Sequence, residues 1–588
     1  MSASTAAASG FRQRPPDLLY AVDEWPPPAR LVLLALQYAI LDAIYLILVG
    51  IILRHASIAA DDRVAIMGIA CIALAIGTVL QALPRGPVGS GFLAPPVYSA
   101  TYLAPSVLAA QIGGMPLVFG MTIFAGLVEV LVALALNRLR FLVTPILSGL
   151  TVFVVGLQLG VVAIGEALDV RHEALPVFHL HLAVATLTLV VCVGLSIWGY
   201  GAARLLSSML GLLVGMVAAA GIGMIGEEEV RALDAAAWFA VPWPPVLERS
   251  FDLGLAPTFF AAGFAAGLRA VGVITTCQRL NDAAWQRPDL GNARKGVLAD
   301  GVATLIGGVL GVPGMSVGPS LVGVSGATGA TSRVIAFAAA AILLGIGCSP
   351  KLAGAFLLVP PEVAGSLLVF TSCFMITGGM TIMLSRPADT RAVYVVGIST
   401  LLALSENVFP DYFRALPPAV QTITASPLAL GLIAALLLTL VFRIGTRQVA
   451  ETTWTGEERS TNAAIAFLRA QAAGWKLNRH IAETSAAEVQ EILGYIARAH
   501  RDPLMGSLRA IQDGVELRIE IRYRGNHVPR LAGIGAVAPP ARPSGDPLED
   551  EEATAYVGLR DFVGSLTAER KEVRRQGGGI VLRLAYAL

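Results

Sequence analysis

Between residues 32 and 443 the chain is built of long apolar runs separated by short polar connections, and past residue 450 polar and apolar positions interleave instead. A helix needs about 20 mostly apolar residues to cross some 30 Å of hydrocarbon. On that criterion fourteen stretches predict spans: 32–53, 64–83, 90–106, 108–136, 144–165, 179–199, 206–226, 256–278, 296–312, 314–328, 333–349, 353–383, 391–408 and 420–443. Two of them make poor helices. The third holds Gly89-Ser90-Gly91 and Pro95-Pro96 ahead of Val97-Tyr98-Ser99-Ala100, and the tenth holds Gly311, Pro313, Gly314, Gly318 and Pro319. They stand third in the first seven stretches and third in the second seven. Broken backbone at membrane depth survives only where protein or a wet cavity satisfies it, and Gly/Pro-interrupted segments in matching halves point to a transporter site. Two re-entrant loops with purely structural work are the alternative.

Past residue 450 the periods are those of a soluble α/β domain. Ser485 with Glu488 reads as a capping box opening a helix whose apolar face is Val489, Ile492, Leu493 and Ile496. Val515, Leu517, Ile519, Ile521 and Tyr523 alternate with Glu516, Arg518, Glu520, Arg522 and Arg524, the pattern of a half-buried strand. Residues 535–552 read as a Pro/Gly-rich acidic loop, followed by a helix over 553–573 and a last strand over Ile580–Leu584.

Composition sharpens the division. Only 14% of the residues are charged, against about 25% in soluble chains, and 36 of the 83 charges lie in Glu451–Leu588. The chain therefore divides into a cytoplasmic N-terminal segment (1–30), a transmembrane transporter domain (31–447) and a cytoplasmic α/β domain (448–588). A net charge of +1 speaks against a nucleic-acid partner. Five cysteines in apolar surroundings, without a CxxC pair, predict neither disulfides nor a zinc site. No cofactor or metal is expected. The absence of a phosphate-binding loop, a Ser-His-Asp set or a His-Glu-x-x-His motif argues against an enzyme or a primary pump. The even-to-odd connections carry Arg85, Arg138, Arg140, Arg204, Arg279, Arg287, Arg294, Lys295, Arg333, Arg386 and Arg391, while the opposite ones hold Glu166, Asp169 and Glu227-Glu228-Glu229. Both termini are thereby expected in the cytoplasm of a bacterium, with the spans in its inner membrane. Arg12 and Arg14 precede no short apolar core, so no cleaved signal peptide is read.

Four motifs then carry a resemblance. Gln37-Tyr38 in the first stretch is similar to a Gln-His pair, and Lys295-Gly296-Val297-Leu298-Ala299-Asp300-Gly301 is close to a Gly-x-x-Ala-Asp-Gly signature. Gly323, Thr328-Gly329 and Ser332-Arg333 match the second half of a tenth-span signature, and Val359-Pro360-Pro361-Glu362-Val363-Ala364-Gly365 looks like an Ile-Pro-x-Pro-Val-x-Gly motif. In this order, over roughly residues 30–445, they resemble the nucleobase–ascorbate (uracil/xanthine permease) transporter family. The resemblance implies an α-helical polytopic membrane protein of two inverted seven-span repeats. These would form a core domain (spans 1–4 and 8–11) and a gate domain (5–7 and 12–14), with short strands in spans 3 and 10 and substrate bound between them. It implies a secondary, symporter-like transporter of xanthine, urate, uracil or a similar heterocycle, coupled to H+ or Na+ and working as a homodimer. The chain also departs from the family. Arg269 stands where a span-8 Glu is usual, and Ser320-Leu321 replace the Glu/Gln-Asn pair of span 10.

Charges at mid-bilayer are costly and mark candidate functional residues. Asp300 is expected to respond to protons or to organise a polar network, with anchoring of its helix as the plainer role. Arg269 keeps its charge and needs an anion or several acceptors. It is expected either to pair with Asp300 or to face an anionic substrate. Asp42, Glu129 and Glu362 are weaker candidates: Asp42 lies five residues past Gln37 and on another face, and Glu362 is hydrated near a span end. The substrate-binding set is Tyr98, Ser99, Ala100, Arg269, Pro319, Ser320 and Leu321; the coupling or network set is Gln37, Tyr38, Asp300, Thr328 and Glu362. An anion permease on the same fold, or a non-transporting sensor signalling through the tail, are the competing readings. In that tail, Glu491-Ile492-Leu493-Gly494-Tyr495 and the ending after Gly577-Gly578-Gly579 look faintly like the histidine-kinase-type ATPase fold. Tyr495 would replace a metal-binding Asn and make it a degenerate, regulatory or dimerising domain; an unrelated α/β cap is the alternative.

Overall fold

The computed structural model describes residues 13–523, 568 and 570–587. Excepted are 17, 57, 137, 139–143, 169–177, 201, 245–247, 284, 286–288, 385–389, 417–423, 425–426, 443–447, 476, 478, 500–504, 514–515 and 577–578. The chain divides into two compact units, Met1–Thr439 and Leu440–Leu588.

The first unit is helical. Its principal elements are α1 (Pro28–Ile44), α2 (Leu46–Arg54), α3 (Ala60–Ala82), β1 (Pro96–Tyr98), α4 (Ala100–Ala135), α5 (Pro145–Ala167), α6 (Phe178–Trp198) and α7 (Ser207–Gly221). There follow α8 (Ala256–Leu280), α9 (Leu290–Leu310), β2 (Met315–Val317), α10 (Pro319–Thr328), α11 (Arg333–Gly347), α12 (Pro361–Met383), α13 (Thr390–Val408) and α14 (Pro427–Phe442). Among the described residues seven helices are long and apolar enough to cross a membrane, or eight if Arg333–Gly347 and the bent Pro350–Leu358 count as one. The third and fourth stretches meet not at residue 107 but at Gly114, whose φ of 67° breaks α4. Stretch twelve gains a separate short helix, Pro350–Gly354, before its Pro-led start at Pro361.

Close helix approach sets the position of the polar residues. A Cβ on Gly126 of α4 would meet the Leu305 amide nitrogen of α9 at 2.6 Å, and one on Gly301 would meet Glu129 Cβ at 2.8 Å. Glycines thus let α4 and α9 touch backbone to backbone, as small residues do between helices in lipid. Asp300 and Glu129 are carried in at that crossing. Residues 13–27, ahead of the first helix, pack onto the ends of α8, α10 and α11. Tyr20 forms a parallel bridge with Ala330, Arg333 pairs with Asp23 at 2.6 Å, and Val22 is buried.

The second unit is an antiparallel sheet with two helices. Its elements are β3 (Gln448–Trp454), α15 (Glu458–Gly474), α16 (Arg479–Ala499), β4 (Gly506–Gln512), β5 (Glu516–Tyr523), β6 (Arg570–Gln576) and β7 (Gly579–Ala587), in sheet order β3-β4-β5-β7-β6. Alternation in β5 puts Leu517, Ile519, Ile521 and Tyr523 into a core shared with Val489, Ile492, Leu493 and Ile496 of α16. Two expectations are corrected. Ser485 does not cap a helix: α16 starts at Arg479, and the Ser485 hydroxyl donates back to Ala482 O at 3.2 Å. Glu488 instead accepts from the Tyr586 hydroxyl at 2.7 Å. The helix expected over 553–573 is contradicted at its end, because Arg570–Val573 belong to β6. There the pairing Gln576↔Gly579 folds the chain into a hairpin, so the cross-strand ladder overrides the helix propensity of the Glu/Arg/Lys run. The rest of that helix and the 535–552 loop lie outside the described residues.

On the opposite sheet face Glu520 lies across from both Arg509 and Arg583, and pairs with Arg583 at 2.8 Å and Arg522 at 3.1 Å. Burial pushes its carboxyl up, but the Arg522 hydrogen bond and the Arg583 charge outweigh that and hold it below the usual range. A carboxyl lowered on folding stabilises above its unfolded pKa of about 4.3, and the gain is lost as pH falls through the folded value. Glu520→Gln is therefore expected to lower the melting temperature of this unit at pH 7, with the gap closing at a pH below the folded value. An equal gap at both pH values would assign the loss to packing.

Candidate functional site

The two broken stretches meet. β1 and β2 pair antiparallel through Pro96↔Val317, Val97↔Ser316 and Tyr98↔Met315. Each strand runs directly into a helix, β1 into α4 and β2 into α10, so two helix N-termini start from one small buried ribbon. Ser99 caps α4, accepting from the Thr101 amide at 3.1 Å, and Pro319 opens α10 after Gly318 without a side-chain cap. Free amides and aligned peptide dipoles at such ends favour electronegative ligand atoms.

Asp300 holds the ribbon. One carboxyl oxygen accepts from the Val317 amide at 2.9 Å and the other from the Ser316 hydroxyl at 2.6 Å, while Thr304, one turn on, donates to Met315 O at 2.6 Å. The carboxyl thus satisfies a strand that has almost no sheet around it. Beside it the Tyr102 hydroxyl donates to Glu129.

Arg269 lies midway along α8 and is 5% exposed. Asp300, Glu129, Tyr102 and Tyr45 are the groups that act on it electrostatically, yet its Nε and Nη2 have no hydrogen-bond partner among the described residues. No ion pair joins it to Asp300 among those residues. A buried guanidinium with open N–H groups is an unfinished site, since each unmade bond carries its full desolvation cost.

The first stretch closes the group from another side. The Tyr45 hydroxyl is 2.8 Å from Ser320 Oγ, and the Tyr38 hydroxyl is 2.6 Å from Ser325 Oγ and donates to Leu321 O at 3.3 Å. Of the residues singled out from sequence, Pro319 and Ser320 are exposed, while Gln37, Ala100 and Thr328 are half-buried. Tyr98, Ser99 and Leu321 are buried; the Tyr98 hydroxyl donates to Ala70 O at 3.0 Å, facing α3. Thr328 donates to Val324 O at 2.8 Å within its own helix. Glu362 bonds none of these residues and lies 2.5 Å from His181 Nδ1 of α6. Tyr45, Tyr102, Ser316, Ser325 and His181 were not singled out from sequence. Tyr45, Ser325 and His181 meet partners 275, 287 and 181 residues away, and Tyr102 and Ser316 partners 27 and 16 away; only the aromatic spacing of Tyr38 and Tyr45 hinted at a shared face.

The profile of the Permease family Xan_ur_permease matches residues 29–411. The chain belongs to that family. It is a multi-pass membrane permease and not an enzyme. The chain is 25% identical over 448 residues to the xanthine permease XanQ of Escherichia coli K12, covering 74% of this chain and 95% of that one. Clostridium perfringens CPE0397, provisionally named a purine permease, is 27% identical over 434 residues, covering 73% and 93%. Among solved structures, the murine anion transporter Slc26a9 in its inward-facing state aligns at 12% identity with a TM-score of 0.48, covering 74% of this chain and 71% of that one. That likeness is too loose to carry an argument. In this chain the Ala299-Asp300-Gly301 segment has a physical reason: the Asp satisfies the β2 strand, and the Gly admits α4.

Proposed function

We propose that this permease is a secondary active transporter of nucleobases or related heterocycles such as xanthine, urate or uracil, bound where α4 and α10 start from the β1–β2 ribbon. The carrying observation is that ribbon, with exposed Ser320 and half-buried Ala100 at the two helix starts and Arg269 nearby. The curated relatives supply the substrate class. An anion permease or a silent sensor has no such support among them.

The finer picture follows the family: fourteen spans in two inverted repeats, a core moving against a gate, a homodimer, and both termini on the cytoplasmic side of a bacterial inner membrane. The domain of residues 448–588 is read as a cytoplasmic regulatory or dimerising unit. The substrate is read as anionic, because Arg269 offers N–H donors that have no partner among the described residues. A thermal-shift series on the purified chain tests the reading, since a ligand that binds only the folded state raises its melting temperature by mass action. Xanthine, urate or uracil should stabilise selectively. Stabilisation by sulfate, chloride or bicarbonate alone would favour the anion permease.

A further inference from the structure

Asp42 is fully buried, and neither of its carboxyl oxygens has a hydrogen-bond partner among the described residues. The other buried acids of the membrane unit differ. Asp300 has two donors against it, Tyr102 donates to Glu129, and Glu362 meets His181. Nor is Asp42 remote from the site. Tyr38, Asp42 and Tyr45 are spaced four and three apart, one stripe on the helix. The flanking tyrosines bond Ser325 and Ser320 of α10. Asp42 thus sits at the seam between the first stretch and the half-helix that begins at the ribbon. α1 also breaks here: the Tyr45 amide bonds Asp42 O at 3.1 Å, and the helix restarts at Leu46.

The groups that interact with it are Tyr38 of α1, Tyr45 just past its end, Cys71 of α3 and Tyr98 of β1, and the two α1-side tyrosines in turn bond Ser325 and Ser320 of α10. Among the described residues no ion pair joins a charged side chain to Asp42. Arg269 acts on Tyr45, one residue removed, and Arg333 at the start of α11 is paired with Asp23. A carboxylate in hydrocarbon demands donors or water, whereas a carboxyl carrying its proton does not. A sodium ion would need a cage of oxygens, but the hydroxyls of Tyr38, Tyr45 and Tyr98 are already engaged.

We propose that Asp42 is the proton-binding site that couples substrate movement to the proton gradient. This rests on the reading of the chain as a secondary transporter. One proton from the outer solution forms the carboxyl O–H, the seam of α1 with α10 closes over the neutral group, and the same proton leaves to water on the inner side. Ionised Asp42 needs that seam open and wet. Tyr38 and Tyr45 carry the change to the helix bearing Ser320.

The test uses full-length protein in proteoliposomes with labelled xanthine. Counterflow with no ion gradient reports transport alone; where xanthine gives none, labelled urate or uracil takes its place, and the absence of counterflow for all three in the wild type would overturn the transporter reading and this proposal with it. With one-to-one coupling, a one-unit pH gradient, alkaline inside, should drive about tenfold accumulation in the wild type. A sodium gradient should drive none. Asp42→Asn should lose accumulation and Asp42→Glu should keep it. Undiminished accumulation by Asp42→Asn, or drive by sodium instead of protons, overturns the proposal. Should Asp42→Asn be immobile, calorimetry of xanthine binding in two buffers of different ionisation heat decides. Proton uptake on binding should be present in the wild type and absent in the variant, and its persistence in the variant overturns the assignment.

Discussion

Asp300→Asn is expected to leave the protein folded and to cut initial uptake by tenfold or more, a loss of about 1.4 kcal/mol of transition-state stabilisation. The expectation comes from what the carboxylate holds. It receives the Val317 amide at 2.9 Å and the Ser316 hydroxyl at 2.6 Å, both from a three-residue strand with a single partner strand. Hydrogen bonds to a charged acceptor contribute about 1.5–3 kcal/mol each. Asn can still accept from Val317, so the strand stays in place. What disappears is the negative charge acting on Arg269 and the acceptor facing Ser316. Asp300→Leu removes both bonds and should lower the melting temperature as well. Initial rates in vesicles holding equal amounts of each protein separate the cases. Unchanged uptake by Asp300→Asn would reduce this residue to a helix anchor.

The second large effect is expected at Arg269. Two of its nitrogens are buried without a partner among the described residues, where Asp300 uses both oxygens on β2 rather than on the guanidinium. A salt bridge between the two, one of the roles considered from sequence, is thereby weakened as an account of Arg269. Attraction between unit charges about 4 Å apart is roughly 4 kcal/mol at an effective dielectric near 20, before desolvation. Even a third of that is about tenfold in affinity. Affinity for a weakly acidic heterocycle should therefore rise as pH passes the ligand's own pKa, and Arg269→Gln should remove that rise. Calorimetric dissociation constants on either side of that pKa provide the check. A preserved pH profile with a lowered melting temperature would make Arg269 a structural residue.

Much of this was visible in the sequence, for definable reasons. Apolar runs report helices in lipid because the bilayer leaves the backbone few other solutions, and each of the fourteen stretches contains described helix. The ribbon announced itself through Gly and Pro in the third and tenth stretches. Asp300 and Arg269 stood out as charges in apolar surroundings. Their surroundings were not legible. That Tyr45 faces Ser320, or that His181 faces Glu362, depends on contacts spanning 275 and 181 residues, which no local spacing encodes. Asp42 was undervalued for the same reason: counting from Gln37 put it on another face, whereas the relevant stripe runs through Tyr38 and Tyr45. In the soluble unit the errors came from local signals that lost to context. Ser485 and Glu488 have capping-box spacing, but the helix had already begun six residues earlier at Arg479.

Under the proposed function this chain moves a nucleobase-like heterocycle through a site at the β1–β2 ribbon. Counterflow of labelled xanthine, urate and uracil into proteoliposomes measures it most directly, with wild type beside Ser320→Trp, which places bulk at the exposed start of α10. Saturable counterflow of at least one of the three is expected, competed by the others and abolished by Ser320→Trp in monodisperse protein. Counterflow of none of them, or a Ser320→Trp protein that transports like the wild type, would contradict it.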